Sequence, residues 1–163
     1  MSQTTLSTSA LKEDTLARRA ENLSRALSAN ISGREREWAE TVAATLARVE
    51  TALRKHRAVA NDPDGLFAAV DEIRPALAKQ ADDLRNNNSA FLEEVNVLRD
   101  EVESALAALQ LTPDSGAKSV EAKADLSVIR QLGEKFLADL HQSKAAEMRL
   151  VAESVNTDIG GSN

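Results

Sequence analysis

The chain has 163 residues, enough for one domain with its own core, and 42% of them are hydrophobic, which excludes a disordered chain. Its formal charge is −6, and acidic and basic residues alternate along it, so no basic face for nucleic acid is expected. There is no cysteine, which excludes disulfides, thiolate catalysis and sulfur-ligated metal sites.

Only 2% of the residues are aromatic, and glycine (6) and proline (3) are scarce. Leu, Val, Ala and Ile supply the apolar positions, a composition that suits packed helices better than a sheet. The expected class is all-α. Residues 1–9 are polar and rich in Ser and Thr; they read as a flexible tail and lack the apolar run of a secretory leader. No segment approaches the ~20 apolar residues of a membrane span, so a cytoplasmic protein that does not enter membranes is expected.

From residue 11 a helical pattern begins, with Leu16, Ala20, Leu23, Leu27 and Ile31 on one face. Ser32-Gly33 interrupts it, and Ser32 with Glu35 has the form of a capping box. A second helix carries Trp38, Val42, Leu46, Val49, Leu53 and His56 inward. Asn61-Asp62-Pro63-Asp64-Gly65 marks the clearest boundary, with Asp62 placed to cap the next helix and Pro63 in its first turn.

The third helix extends to about residue 109, with Leu66, Val70, Ile73, Leu77, Leu84, Phe91, Val95, Leu98, Val102, Leu106 and Leu109 inward. Pro75 should kink it or delay its start. Thr112-Pro113-Asp114-Ser115-Gly116 is a second strong break. The last helix covers about 118–155, with Leu126, Ile129, Phe136, Leu140, Leu150, Val151 and Val155 inward, and glycines stop it. The expected architecture is an antiparallel up-and-down four-helix bundle in one domain over 10–157, followed by a tail at 158–163. The apolar stripe stays in phase across Gly33, so the alternative is one rod over 10–60 and a three-helix, spectrin-like bundle.

The stripes are interrupted at similar depth. His56 continues the Val49-Leu53 face; Gln80, Asn87 and Asn88 fall between Leu77 and Phe91; Ser143, Lys144 and Glu147 fall between Leu140 and Leu150. Bundles build metal sites from side chains that face one another in this way, although such groups also hydrogen-bond together and fix helix register. With two histidines in the chain, His56 and His141, the largest metal set is His56 with Glu147, and His141 outside it. No Ser-His-Asp order, phosphate-cradling glycine loop or His-Glu-x-x-His helix occurs, and the carboxylates spread over outer faces. No enzyme activity is expected.

Three stretches have a further likeness: Leu53-Arg54-Lys55-His56 followed by Asp64-Gly65-Leu66-Phe67; Leu84-Arg85-Asn86-Asn87-Asn88; and Ser143-x-x-x-Glu147 running into Asn156-Thr157-Asp158-Ile159-Gly160-Gly161. Together they resemble hemerythrin-like (HHE cation-binding) domain proteins over about two thirds of the chain. The resemblance implies a hemerythrin-like fold with His56 and Glu147 at ligand positions. Val59 and Ala60 stand where that family usually has a glutamate, and Asn88 and Ser143 stand where it has histidines. What it implies is therefore a degenerate member that has lost its di-iron centre and binds no cofactor.

The expected function is a structural or protein-interaction module, a monomer or weak homo-oligomer with a protein partner. The alternative is a residual metal-binding or sensing domain holding iron or another divalent metal. A third reading is self-association through adjacent apolar pairs such as Leu66-Phe67, Phe91-Leu92 and Phe136-Leu137.

Overall fold

The computed structural model describes the backbone of residues 2–111 and 116–160, and side-chain surroundings for 15–72, 74–110 and 125–154. The described residues are helical, with no strand among them. The elements are α1 (Ser2–Ser28), α2 (Glu35–Ala60), α3 (Leu66–Ile73), a 3₁₀ turn (Pro75–Leu77), α4 (Ala78–Leu111) and α5 (Gly116–Gly160). Helix α1 packs against α2 and α5, α2 also against α4, and α4 also against α5, while α3 lies on α4 and α5.

Residues 10–60 thus form two helices, which removes the single-rod alternative. The break is set by Gly33, whose φ of 75° is one that residues with a Cβ avoid. The capping box at Ser32 does not form. Asn30 Oδ1 instead accepts from the Ser32 amide at 3.1 Å, and the N-cap is Arg34, which makes no side-chain capping bond. Glu35 likewise does not reach the Ser32 amide; its Oε1 accepts from the Gly33 amide at 3.2 Å.

The second boundary also differs in detail from its sequence reading. Asp62 caps no helix; its Oδ1 accepts from the Asp64 amide at 3.0 Å within the turn. The N-cap of α3 is Gly65, so Pro63 lies outside the helix. A Cβ on Gly65 would stand 2.6 Å from the Val59 carbonyl oxygen, so the close approach of two chain segments requires glycine there. Pro75 breaks the expected third helix in two. Arg74 is driven out of the helical region (φ −145°, ψ 86°), as residues before proline are, and the chain restarts through the 3₁₀ turn.

Helix α1 begins at Ser2 and α5 continues to Gly160, so the helical backbone includes residues 2–9 and 158–160. A helix nucleated on a packed stripe gains one hydrogen bond for each residue added, which favours such extension. The break at Thr112-Pro113-Asp114-Ser115, the side chains of Leu11, Ile73 and Val155, and residues 161–163 lie outside what is described.

The core has two parts. The larger joins α1, α2, α4 and α5 and includes Leu23, Leu27, Trp38, Val42, Leu46, Leu53, Phe91, Val95, Ile129, Phe136 and Leu140. Phe91 and Phe136 meet edge to face there, 6.0 Å between centroids. Gly133 lets α5 approach α1: a Cβ on it would lie 2.6 Å from Leu27 Cδ1. Beside this contact Arg130 donates to the Leu27 carbonyl at 2.7 Å and the Ala29 carbonyl at 2.5 Å, and its guanidinium lies 5.7 Å from the Trp38 ring centroid. A cation on the last carbonyls of a helix satisfies acceptors that have no intrahelical partner and offsets the negative end of its dipole.

The smaller part gathers Ala60, Phe67, Val70, Leu77, Ala81, Leu84 and Leu150 around α3. Nearby, Arg85 pairs with Asp71 of α3 at 2.8 Å and Asp82 at 2.7 Å, and lies over the Phe67 ring. The hydrogen bond to Asp71, above all, raises its already high pKa.

Val151, expected inward, is 39% exposed, because Leu150 takes the buried position beside it. In the pairs proposed for self-association, Phe67, Phe91, Leu92, Phe136 and Leu137 are buried and Leu66 is half-buried, so they belong to the cores. The carboxylates are not all on outer faces either. Glu50 is 8% exposed and joins α2 to α4, held by Arg54 at 2.9 Å and Arg99 at 2.8 Å.

Candidate functional site

The two cores are separated by a polar layer. On α2, His56 lies between Leu53 of the larger core and Ala60 of the smaller. On α4, Asn88 lies between Leu84 and Phe91; on α5, Ser143 and Glu147 lie between Leu140 and Leu150. Each interruption keeps the three- and four-residue spacing of the stripe it replaces, so helical geometry delivers all four side chains to one depth.

His56 Nε2 lies 3.1 Å from Glu147 Oε2, and the two side chains are 14% and 12% exposed. Asn88 and Ser143 are buried beside them. The Asn88 amide nitrogen has no hydrogen-bond partner among the described residues, a state that costs a buried donor about 1–3 kcal/mol. Leu16, Ala17 and Ala20 of α1, with Leu53 and Leu140, supply apolar walls. The cavity they enclose with the polar groups has a volume of about 40 Å³. That is room for a few waters or one small ion, since a water needs ~10–15 Å³.

His56, Glu147, Asn88 and Ser143 are therefore brought together as the stripes predict. Lys144 and His141 also line the cavity, Lys144 half-buried and His141 exposed. Gln80 and Asn87 do not reach it and are exposed. The inner face of α4 is taken by Ala81, Leu84, Asn88 and Phe91, in step with Leu77, so Gln80 and Asn87 fall one residue outside it.

A di-iron centre in a bundle draws several imidazoles and carboxylates from four helices. One imidazole and one carboxylate meet in this layer, and no group of three or more His, Cys, Asp or Glu is placed to hold a metal among the described residues. The donor set does not fit such a centre. The remaining groups, an amide and a hydroxyl, are weak ligands for transition metals.

The sequence reading missed two features. Glu50 sits on the inner side of α2, but the arginine from α4 that permits its burial is 49 positions away. A cationic groove between α1 and α2 also escaped it, because its members come from separate helices. No family model matches the chain, and no curated protein or solved structure matches it either. Among the described residues no helix is long and apolar enough to cross a membrane.

Proposed function

We propose that the chain is a non-enzymatic, hemerythrin-like up-and-down four-helix bundle, a cytoplasmic structural or protein-interaction module without a di-iron site. The polar layer carries this reading: at the depth where a bundle assembles a metal centre, one histidine meets one glutamate beside an asparagine and a serine, and the second histidine on the cavity, His141, is exposed. The pairwise packing of α1, α2, α4 and α5 supports the bundle. The layer then serves to fix helix register, as buried polar groups do in other helical assemblies. Elemental analysis of the purified protein tests the proposal. It predicts no stoichiometric metal; about two irons per chain, with oxo-bridged iron absorption, would contradict it.

A second reading, a residual metal-binding or sensing domain, is favoured by the approach of His56 and Glu147 beside an unpartnered amide. Asn88 lines the same cavity, so its side-chain oxygen is the third protein donor this reading would call on. This reading predicts a melting temperature that rises with Fe(II), Zn(II) or Mn(II), since an ion bound only by the native state stabilises it. An identical response from a His56→Ala variant would rule it out.

A further inference from the structure

The groove between α1 and α2 is lined by Thr15 and Arg19 of α1 and by Ala47, Arg48, Thr51 and Lys55 of α2, with Ala52 at its floor, and has a volume of about 270 Å³. Among the described residues its lining includes three cations and no carboxylate, in a chain with 26 acidic and 20 basic residues. The ion pairs among the described residues engage Arg25, Arg36, Arg54, Arg85, Arg99 and His56, and none of them uses Arg19, Arg48 or Lys55. Arg48 and Lys55 are exposed and Arg19 is half-buried, so the charges face an open groove.

Packing α1 on α2 gathers like charges that would otherwise lie far apart, and an anion relieves their repulsion. The hydroxyl of Thr51 already donates to the Ala47 carbonyl at 3.1 Å, which leaves the cations to do the recognising. Two guanidinium forks match phosphoryl oxygens bidentately, and the lysine adds a point charge. The volume is just below the ~300 Å³ at which sites for drug-sized ligands begin, which suits a smaller anion.

We propose that this groove binds a small phosphate-bearing anion, with Arg19 and Arg48 taking phosphoryl oxygens and Lys55 supplying the third charge. The groove shares no lining residue with the polar layer, and the inference does not depend on the function proposed above. Isothermal titration of the full chain with pyrophosphate, orthophosphate and citrate at low salt tests it.

The expected result is one saturable pyrophosphate site per chain, tighter than that for orthophosphate or citrate and weakened by added salt. Arg19→Gln and Arg48→Gln should each weaken it about tenfold, while Arg36→Gln, in an exposed pair elsewhere, leaves it unchanged. Arg48 is exposed, Arg19 is half-buried, and neither makes an ion pair among the described residues, so circular dichroism should be unaltered. Absence of saturable binding, or binding unchanged in both groove variants, would overturn the proposal. Citrate binding as tightly as pyrophosphate would overturn the assignment to phosphate.

Discussion

The two cores are closed by different means. The larger is held by long helices with continuous apolar stripes, by the Phe91–Phe136 contact and by the Arg130 cap on α1. The smaller depends on an eight-residue helix, a proline turn, and Leu150 reaching in from α5. A helix of that length is not stable alone, so α3 is held in place by Phe67, Val70 and the Arg85–Asp71 pair. The difference teaches that one burial value can mean different things: Phe136 and Phe67 are equally buried, but only Phe136 is embedded in the region that contains Trp38.

The sharpest way to break that comparison is to truncate both. Phe136→Ala should destabilise the protein by about 3–5 kcal/mol, read as a lower urea midpoint of Trp38 fluorescence. Phe67→Ala should move the Trp38 transition less and instead accelerate hydrogen exchange in α3, because that element can open locally. Equal shifts in the Trp38 curve would show that the two cores unfold as one.

The next largest effect concerns the boundary between them. Glu147→Leu leaves His56 without its carboxylate and should lower stability by about 1–3 kcal/mol. The double variant His56→Leu with Glu147→Leu should recover most of that loss, since an apolar pair needs no partner. A double variant as unstable as the sum of the singles would mean that the two side chains are not coupled.

Arg130→Met should cost about 1–2 kcal/mol, through two lost carbonyl contacts and the lost stacking on Trp38, with a change in the native fluorescence spectrum. An unchanged urea midpoint would show that water replaces the cap.

The smallest effect is at Glu94, whose pKa is raised from 4.5 by burial and by the charge of Asp139, against a lowering by Lys135. A carboxyl with a raised folded-state pKa holds its proton more tightly when folded, so its contribution is lost as pH rises through that raised value. Glu94→Gln should therefore raise the melting temperature slightly at neutral pH and lose that advantage below the ordinary carboxyl range. A gain that persists at low pH would assign the effect to something other than titration.

The stripes of α1, α2, α4 and α5 were legible because helical spacing alone places Leu23, Leu27, Val42, Leu46, Val95, Val102, Ile129 and Phe136 inward. His56, Asn88, Ser143 and Glu147 were legible for the same reason, as polar residues occurring in phase with apolar ones. What escaped depended on the choice between three- and four-residue steps, on backbone crowding and on partners distant in sequence. Between Leu77, Leu84 and Phe91 the inner positions are taken by Ala81 and Asn88, each one residue past Gln80 and Asn87, and spacing alone does not distinguish a step of three from a step of four. Gly65, and not Asp62, caps α3 because backbone crowding leaves no room for a side chain. Glu50 is buried by an arginine from another helix, and the charges of Arg19, Arg48 and Lys55 meet only once α1 lies on α2.

The account rests on the polar layer being kept at a cost in stability, with an Asn88 amide nitrogen that has no partner among the described residues. Urea titration of Asn88→Leu tests this most directly, because leucine removes the unpaired donor and is also the better helix former. The predicted result is a gain of about 1–2 kcal/mol with unchanged far-ultraviolet circular dichroism. A loss of about 1 kcal/mol or more would contradict it and show that the amide has a bound partner in solution.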